Sequence, residues 1–450
     1  MLDMKKINTS FSQIILFVVP LMLTGILQLL YNAADSMVVG RFDGADSLAA
    51  VSSVSSLVNL LVNFFMGMSA GAAVAVAHDY GAGDYNGVSK TVHTSVSVSV
   101  ILGIIVGAFG ICFSEVFLVW MGSPENILPL SSIYLKIFFI GTPANMLFNY
   151  CAAIIRSTGD TKRPLIILAS TGLVNVVLNL IFVVGLKIGV AGVALATIIS
   201  QYISAIAVIV FLLKTDSCIR FKLSSLAVDF GKLKRIIIVG FPAGLQSALF
   251  SISNVIIQSS VNSFGSVVMA GSGASHNIEG FTFTAMNSVH HAALTFVGQS
   301  VGAKEFENIH KVTAKCVLLV SVLGIIMGGA SYLFSKELLL LFLPKSPEAI
   351  PYGQLRLLYV AVPYFTCGMM DVLVGAQRGL GMSFIPMINS LIGSCAFRVL
   401  WIMTVFTHYR TLEAIFISYT ISWVLTTIAH LIFYLIGYNR IIKHQKRCVN

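Results

Sequence analysis

Residues 14–39 read IILFVVPLMLTGILQLLYNAADSMVV. About 20 residues of α-helix cross the hydrocarbon core of a bilayer, and this stretch is long and apolar enough to do so. Lys5 and Lys6 precede it as they would in a secretory signal. The run is, however, longer than the core of a signal peptide and lacks a small-residue cleavage site, so it reads as a retained transmembrane helix. One carboxylate, Asp35, stands inside it. Thr24, Gln28, Tyr31 and Asp35 recur at steps of four, three and four, which places them on one helical stripe. A carboxylate in hydrocarbon costs several kcal/mol, so Asp35 is expected to face protein or water, where it could take up and release a proton. The plainer reading sets it near the helix end, paired with Arg41.

The rest of the chain repeats this composition. Of 450 residues, 57% are hydrophobic and 10% charged, against about 25% charged in soluble domains. Apolar stretches near 14–39, 48–77, 91–113, 131–155, 164–186, 189–213, 236–263, 267–297, 312–334, 354–377, 385–407 and 412–437 make twelve spans, so the expected fold is an all-α integral membrane protein. The net charge of +10 follows from topology. With the N-terminus inside, only Arg41, Lys187, Lys336, Lys345, Arg356 and Arg410 fall outside, and Lys136 and Arg398 fall within helices. Every other Lys and Arg is then cytoplasmic, as the positive-inside rule requires. Both termini are expected in the cytoplasm, the lipid bilayer is the expected surrounding, and no nucleic-acid partner is needed to explain the basic residues. Cys112, Cys151, Cys316, Cys367 and Cys395 lie in apolar stretches, Cys218 and Cys448 in basic ones, without C-x-x-C spacing. Reduced structural thiols are expected.

The chain also resembles itself. A shift of about 221 to 222 residues lays Gly44-Ala45 through Gly81-Ala82 on Gly265 through Gly302-Ala303. It lays Arg156-Ser-Thr-Gly159 with Pro164 on Arg378-Gly-Leu-Gly381 with Pro386. Pro20 falls on Pro242, and Gly81-Ala-Gly-Asp84 on Gly302-Ala-Lys-Glu305. The expected organisation is an N-terminal six-helix lobe (1–213), a basic cytoplasmic linker (214–235) and a C-terminal six-helix lobe with a basic tail (236–450). An even number of spans per repeat keeps the copies parallel, as in transporters whose repeats are related by an axis along the membrane normal. Pro20 and Pro242 each remove a helical hydrogen bond and permit a bend.

Other polar groups recur inside the spans. Thr171, Asn175 and Asn179 are spaced every four residues on the fifth. Their oxygens suit a hard cation such as Na⁺ or hydrogen bonding to a buried carboxylate; equally, Asn serves as interhelical glue. Thr197 on the sixth is a weaker candidate. The second half offers Glu279, Asp371 and Arg398, with a stripe of Ser247, Ser251, Asn254, Gln258 and Asn262. Glu279 and Asp371 could bind a cationic substrate or carry protons, or one of them could neutralise Arg398. His290, His291 and His430 lack metal-ligand spacing, so no metal is expected and these rings read as interfacial or packed.

No phosphate loop G-x-x-x-x-G-K-[ST] occurs, and neither a G-x-S-x-G elbow nor an H-E-x-x-H pair is present. Enzymatic and ATP-driven readings therefore lose support, and no cofactor is expected. Active transport would draw on an ion gradient.

Tyr31-Asn-x-Ala-Asp35 followed by Val-Val-Gly40, Ala49-Ala-Val51, Gly81-Ala-Gly83, Arg156-Ser-Thr-Gly-Asp160 with Pro164, Gly192-Val-Ala-Leu-Ala-Thr197 and Arg378-Gly-Leu-Gly381 together resemble the multidrug and toxic compound extrusion family, particularly its bacterial and archaeal branch. The resemblance runs end to end. It implies twelve helices in two lobes, a V-shaped cavity open alternately to either side, and export of amphipathic, often cationic molecules against H⁺ or Na⁺ entry. It implies that Asp35, Asn175, Asn179 and Thr197 form the cation- or proton-responsive cluster, with a bend near Pro20. Gln28, Tyr31, Asn254, Glu279 and Asp371 are the cavity or substrate candidates. Many members of that branch carry Asp where this chain has Asn179, which leaves one carboxylate in place of two and favours H⁺ over Na⁺. A plasma-membrane monomer with a small organic substrate is expected. The rival reading is a flippase for lipid-linked oligosaccharide, which should line its cavity with several basic residues.

Overall fold

The structure is a computed structural model that describes residues 9–344 and 346–449, without the side chains of Ser36, Ala45, Asp46, Leu48 and 441–449. Lys5, Lys6, Lys345 and the basic side chains of the tail, with Cys448, lie outside the described residues. The described chain is helical. Nine long helices come first: α1 (Phe11–Phe42), α2 (Ala45–Gly81), α3 (Tyr85–Trp120), α4 (Leu128–Ser157), α5 (Lys162–Gly185), α6 (Val190–Lys214), α7 (Phe230–Asn262), α8 (Ser266–Gly302) and α9 (Phe306–Leu333). After the short helix Ser335–Phe342 come α10 (Pro347–Ala361 and Tyr364–Gly379, bent by 41°), α11 (Phe384–Phe406) and α12 (Leu412–Val449).

Ten of these are long and apolar enough to cross a membrane, and the bent α10 makes eleven. The remaining helix, α8, carries the polar run Gly271-Ser-Gly-Ala-Ser-His-Asn277 ahead of Glu279. Its length and its packing against α9 and α10 make it the twelfth. The chain is a twelve-helix multi-pass membrane protein of two six-helix repeats.

The repeat extends to backbone detail. Gly44 and Gly265 have φ of 99° and 98°, and Gly159 and Gly381 have 97° and 86°. In the turn after α2, Asp84 N–H bonds Asp79 O at 2.9 Å, and after α8 Glu305 N–H bonds Ser300 O at 2.9 Å. The left-handed position there is Gly83 in the first copy and Lys304 in the second. Wide π-helical turns also match, at Leu180–Gly185 in α5 and Ile402–Phe406 in α11.

Two compact units make up the chain. One comprises 1–22, 81–83 and 245–450; the other comprises 23–80 and 84–244. Their boundaries fall two residues beyond Pro20 and Pro242, inside α1 and α7, rather than in the 214–235 linker. Both helices run unbroken through their prolines.

In the first unit, Ile14, Phe17, Val18 and Leu21 of α1 are buried among Met286, Val289 and Phe296 of α8 and apolar side chains of α9 and α10. In the second, the start of α7 packs on α2 through two G-x-x-x-G sequences, Gly67/Gly71 and Gly240/Gly244. A Cβ added at Gly67 would lie 2.5 Å from Gly244 Cα, and one at Gly71 would strike the Ile236 carbonyl. Small residues of this spacing let helix backbones approach closely where lipid offers no hydrophobic drive to association.

Ion pairs reinforce that contact. Asp79 is 6% exposed and accepts from Lys232 Nζ at 2.6 Å, Thr91 Oγ1 at 3.0 Å and Arg235 Nη1 at 3.2 Å. In the linker just before α7, the Lys232 backbone N–H holds the Asp229 carboxyl below the usual carboxylate range. Sequence reading had singled out neither acid.

Candidate functional site

The first site lies wholly in the unit 23–80 plus 84–244. Tyr31 fixes α1 against α5: its hydroxyl donates to Ala169 O at 3.0 Å, and its ring fills the space left by the absent side chain of Gly172. One turn on, Asp35 is half-buried and meets the end of α5. Asn179 donates its amide to Asp35 Oδ1 at 2.5 Å and lies 3.3 Å from Asn175 Oδ1. Asn175 is 6% exposed and Asn179 fully buried.

The wide turn that follows Asn179 shifts α5 away from regular 3.6-residue phasing, and such turns often occur where a side chain must be aimed. Asn179 Oδ1 is buried and has no partner among the described residues. Tyr134 of α4, which sequence reading missed, is an electrostatic neighbour of Asp35.

Hydrogen bonds from Asn179 thus link Asp35 and Asn175. The Thr197 hydroxyl bonds back along its own helix, donating to Val193 O at 3.0 Å. Thr171 takes part in a separate bond, accepting from Ser204 Oγ at 2.7 Å. Gln28 is exposed on α1. Arg41 forms no ion pair with Asp35 among the described residues; its guanidinium lies over Phe42.

The second unit, 1–22 plus 81–83 and 245–450, arranges its charges differently from expectation. Glu279 does not neutralise Arg398. Its two oxygens accept from Arg356 Nε and Nη2, each at 2.9 Å, while Arg356 Nη1 donates to Ser272 at 2.9 Å. Arg356, read from the sequence as an outer-side residue, is 4% exposed within α10. α8 supplies both partners: Ser272 from its polar run and Glu279 just beyond it.

Asp371, half-buried on α10, lies within electrostatic reach of the buried Arg378. Arg378 Nη2 donates to Gln246 at 2.8 Å, and Gln246 donates to Ser390 at 3.0 Å. Ser390 in turn meets His430, which is bonded to Gln377. His290 is buried with Nδ1 against the Asp371 carbonyl oxygen at 2.6 Å. His290 and His430 are thus packed, hydrogen-bonded residues. Asn254 is exposed on α7, and Gln258 bonds Asn262 at 2.9 Å. Among the described residues no group of acids, histidines and cysteines has the arrangement of a metal site.

The family model MatE matches residues 20–181 and again 242–404. The chain belongs to the MatE family. Each match begins at a proline, Pro20 or Pro242, so the family unit and the internal repeat coincide. MatE proteins are transporters, not enzymes. The chain is 29% identical over 405 residues to the Probable multidrug resistance protein YoeA of Bacillus subtilis strain 168, covering 88% of this chain and 87% of that protein. It is 27% identical to the Probable multidrug resistance protein YpnP of the same organism, covering 84% and 85%. Among solved structures, it superposes with a TM-score of 0.90 at 21% identity on an outward-facing multidrug resistance MATE family transporter of the MOP superfamily, covering 96% and 97% of the two chains. That likeness independently supports the MatE fold.

Proposed function

We propose that this MatE protein exports organic, amphipathic and often cationic molecules by alternating access, as an antiporter driven by H⁺ entry through Asp35. Membership of a transporter family and the names of its relatives support drug export. The observation that carries the coupling reading is the bond from Asn179 to Asp35. Asn179 turns its N–H, not its carbonyl oxygen, toward Asp35 Oδ1, so it adds no oxygen ligand for a Na⁺ ion beside the carboxylate. One carboxylate with two amides also supplies a single negative charge, which suits binding and release of a proton better than retention of a dehydrated cation.

In this reading, protonation of Asp35 weakens its bond from Asn179 and changes the α1–α5 contact, which Tyr31 otherwise fixes. Such a change biases the conformational equilibrium only insofar as the two states differ in proton affinity. Drug uptake into inverted vesicles tests it. An imposed pH gradient should drive transport and an imposed Na⁺ gradient should not; the opposite result would replace H⁺ by Na⁺. A plasma-membrane location with both termini cytoplasmic, and a monomeric working unit, complete the proposal.

A further inference from the structure

Two arginines sit against the same face of α12, and the chain treats them differently. Arg356 lies 5.7 Å from the Phe416 ring centre, and each of its three guanidinium nitrogens donates to Glu279 or Ser272. Arg398, on α11, is 2% exposed and lies 4.2 Å from the Tyr419 ring centre and 5.3 Å from that of Trp423. Its Nε donates to Ser422 at 2.8 Å, but its buried Nη2 has no acceptor among the described residues. Its electrostatic neighbours are Tyr419, Cys367, Cys395 and Tyr364, and none is a carboxylate. Asp371 is coupled to Arg378 instead.

A guanidinium in a membrane span is costly unless its charge is compensated. The faces of Tyr419 and Trp423 offset part of that cost through cation–π attraction, but they accept no hydrogen bond from Nη2. Water could satisfy the donor without neutralising the charge. A singly charged oxyanion does both, and the planar fork of arginine matches carboxylate or phosphate geometry.

We infer that Arg398, with Ser422 and the Tyr419–Trp423 wall, is a binding site for one anionic headgroup, a carboxylate or phosphate carried on an apolar body. The occupant is either the acidic end of a soluble amphiphile or the phosphate of a membrane lipid. This inference does not depend on which ion drives transport, because it concerns binding to the resting protein.

The test uses the full chain in phosphatidylcholine nanodiscs, with Trp120→Phe and Trp401→Phe leaving Trp423 as the sole reporter. Decanoate is titrated, with decylammonium and methyl decanoate as controls. A saturable change in Trp423 emission with decanoate alone, weakened at least about tenfold in Arg398→Gln, is expected for a soluble ligand; that is the effect of losing one charge-assisted hydrogen bond. Arg398→Lys should retain part of the response. If the emission changes only when phosphatidylglycerol replaces part of the phosphatidylcholine, again through Arg398, the occupant is a lipid headgroup and the site stands. Absence of a saturable anion response in the otherwise unmodified reporter protein, in either lipid, would overturn the inference, whether or not the Arg398 variants fold.

Discussion

Asn179 of α5 donates its side-chain amide to Asp35 of α1 at 2.5 Å, across 144 residues of sequence. This bond joins the one carboxylate of α1 to the point where α5 leaves regular helical phasing. In the proposed mechanism, Asn179 is the residue through which the choice of coupling ion is most directly altered.

Asn179→Asp would place a second carboxylate against the first. Two unit charges about 4 Å apart repel by about 4 kcal/mol at an effective dielectric of 20, so the pair would need a shared proton or a bound cation. The variant is predicted to acquire Na⁺-dependent transport that the wild type lacks, with at least about a tenfold gain in apparent Na⁺ affinity. Vesicle transport over a Na⁺ titration at fixed pH measures it.

Glu279 and Arg356 should behave as one buried unit. Glu279→Gln leaves a buried guanidinium without its counter-charge, a loss of about 3–5 kcal/mol. Glu279→Leu combined with Arg356→Met removes both charges and should be more stable than either single variant. Thermal denaturation of the two singles and the double, read as a double-mutant cycle, gives the coupling. Additive losses would show that the pair contributes no mutual stabilisation.

The Gly71 crossing predicts a contrast among glycines. At Gly71 a methyl group meets the backbone of α7, and overpacking of this kind costs about 1–3 kcal/mol. At Gly273 of α8 a methyl group meets nothing within 4 Å, while alanine is favoured over glycine in a helix by about 1 kcal/mol. Gly71→Ala should lower the melting temperature, and Gly273→Ala should hold or raise it. Fluorescence-detected size exclusion after graded heating checks both.

Much of this was legible in the sequence because membrane spans and their duplication leave periodic traces. A shift of 222 pairs Pro20 with Pro242, and one of 221 pairs Gly44 with Gly265, whose φ angles differ by only a degree. The Asp35 stripe was legible because residues four apart share a helix face, and the same rule set Asn175 beneath Asn179. Thr197 illustrates the limit of that rule, since a lone hydroxyl in a helix finds the carbonyl four residues back. Arg356 was misplaced because it stands near the margin of an apolar stretch, where composition alone cannot separate a loop from a buried turn. Its partner is 77 residues away on α8, and no local period encodes that pairing. The Asp79 cluster escaped notice for a similar reason: its cations belong to the start of α7, distant in sequence.

The most direct test of the central claim is drug efflux by cells expressing the wild type or Asp35→Asn at matched membrane abundance, with the proton gradient intact and then collapsed. Asn keeps the shape of Asp and can still meet Asn179 through its amide, so the fold should survive. The account predicts ethidium efflux by the wild type that collapse of the gradient abolishes, and none by Asp35→Asn under either condition. Efflux by Asp35→Asn that still follows the proton gradient would contradict it and move the coupling site elsewhere.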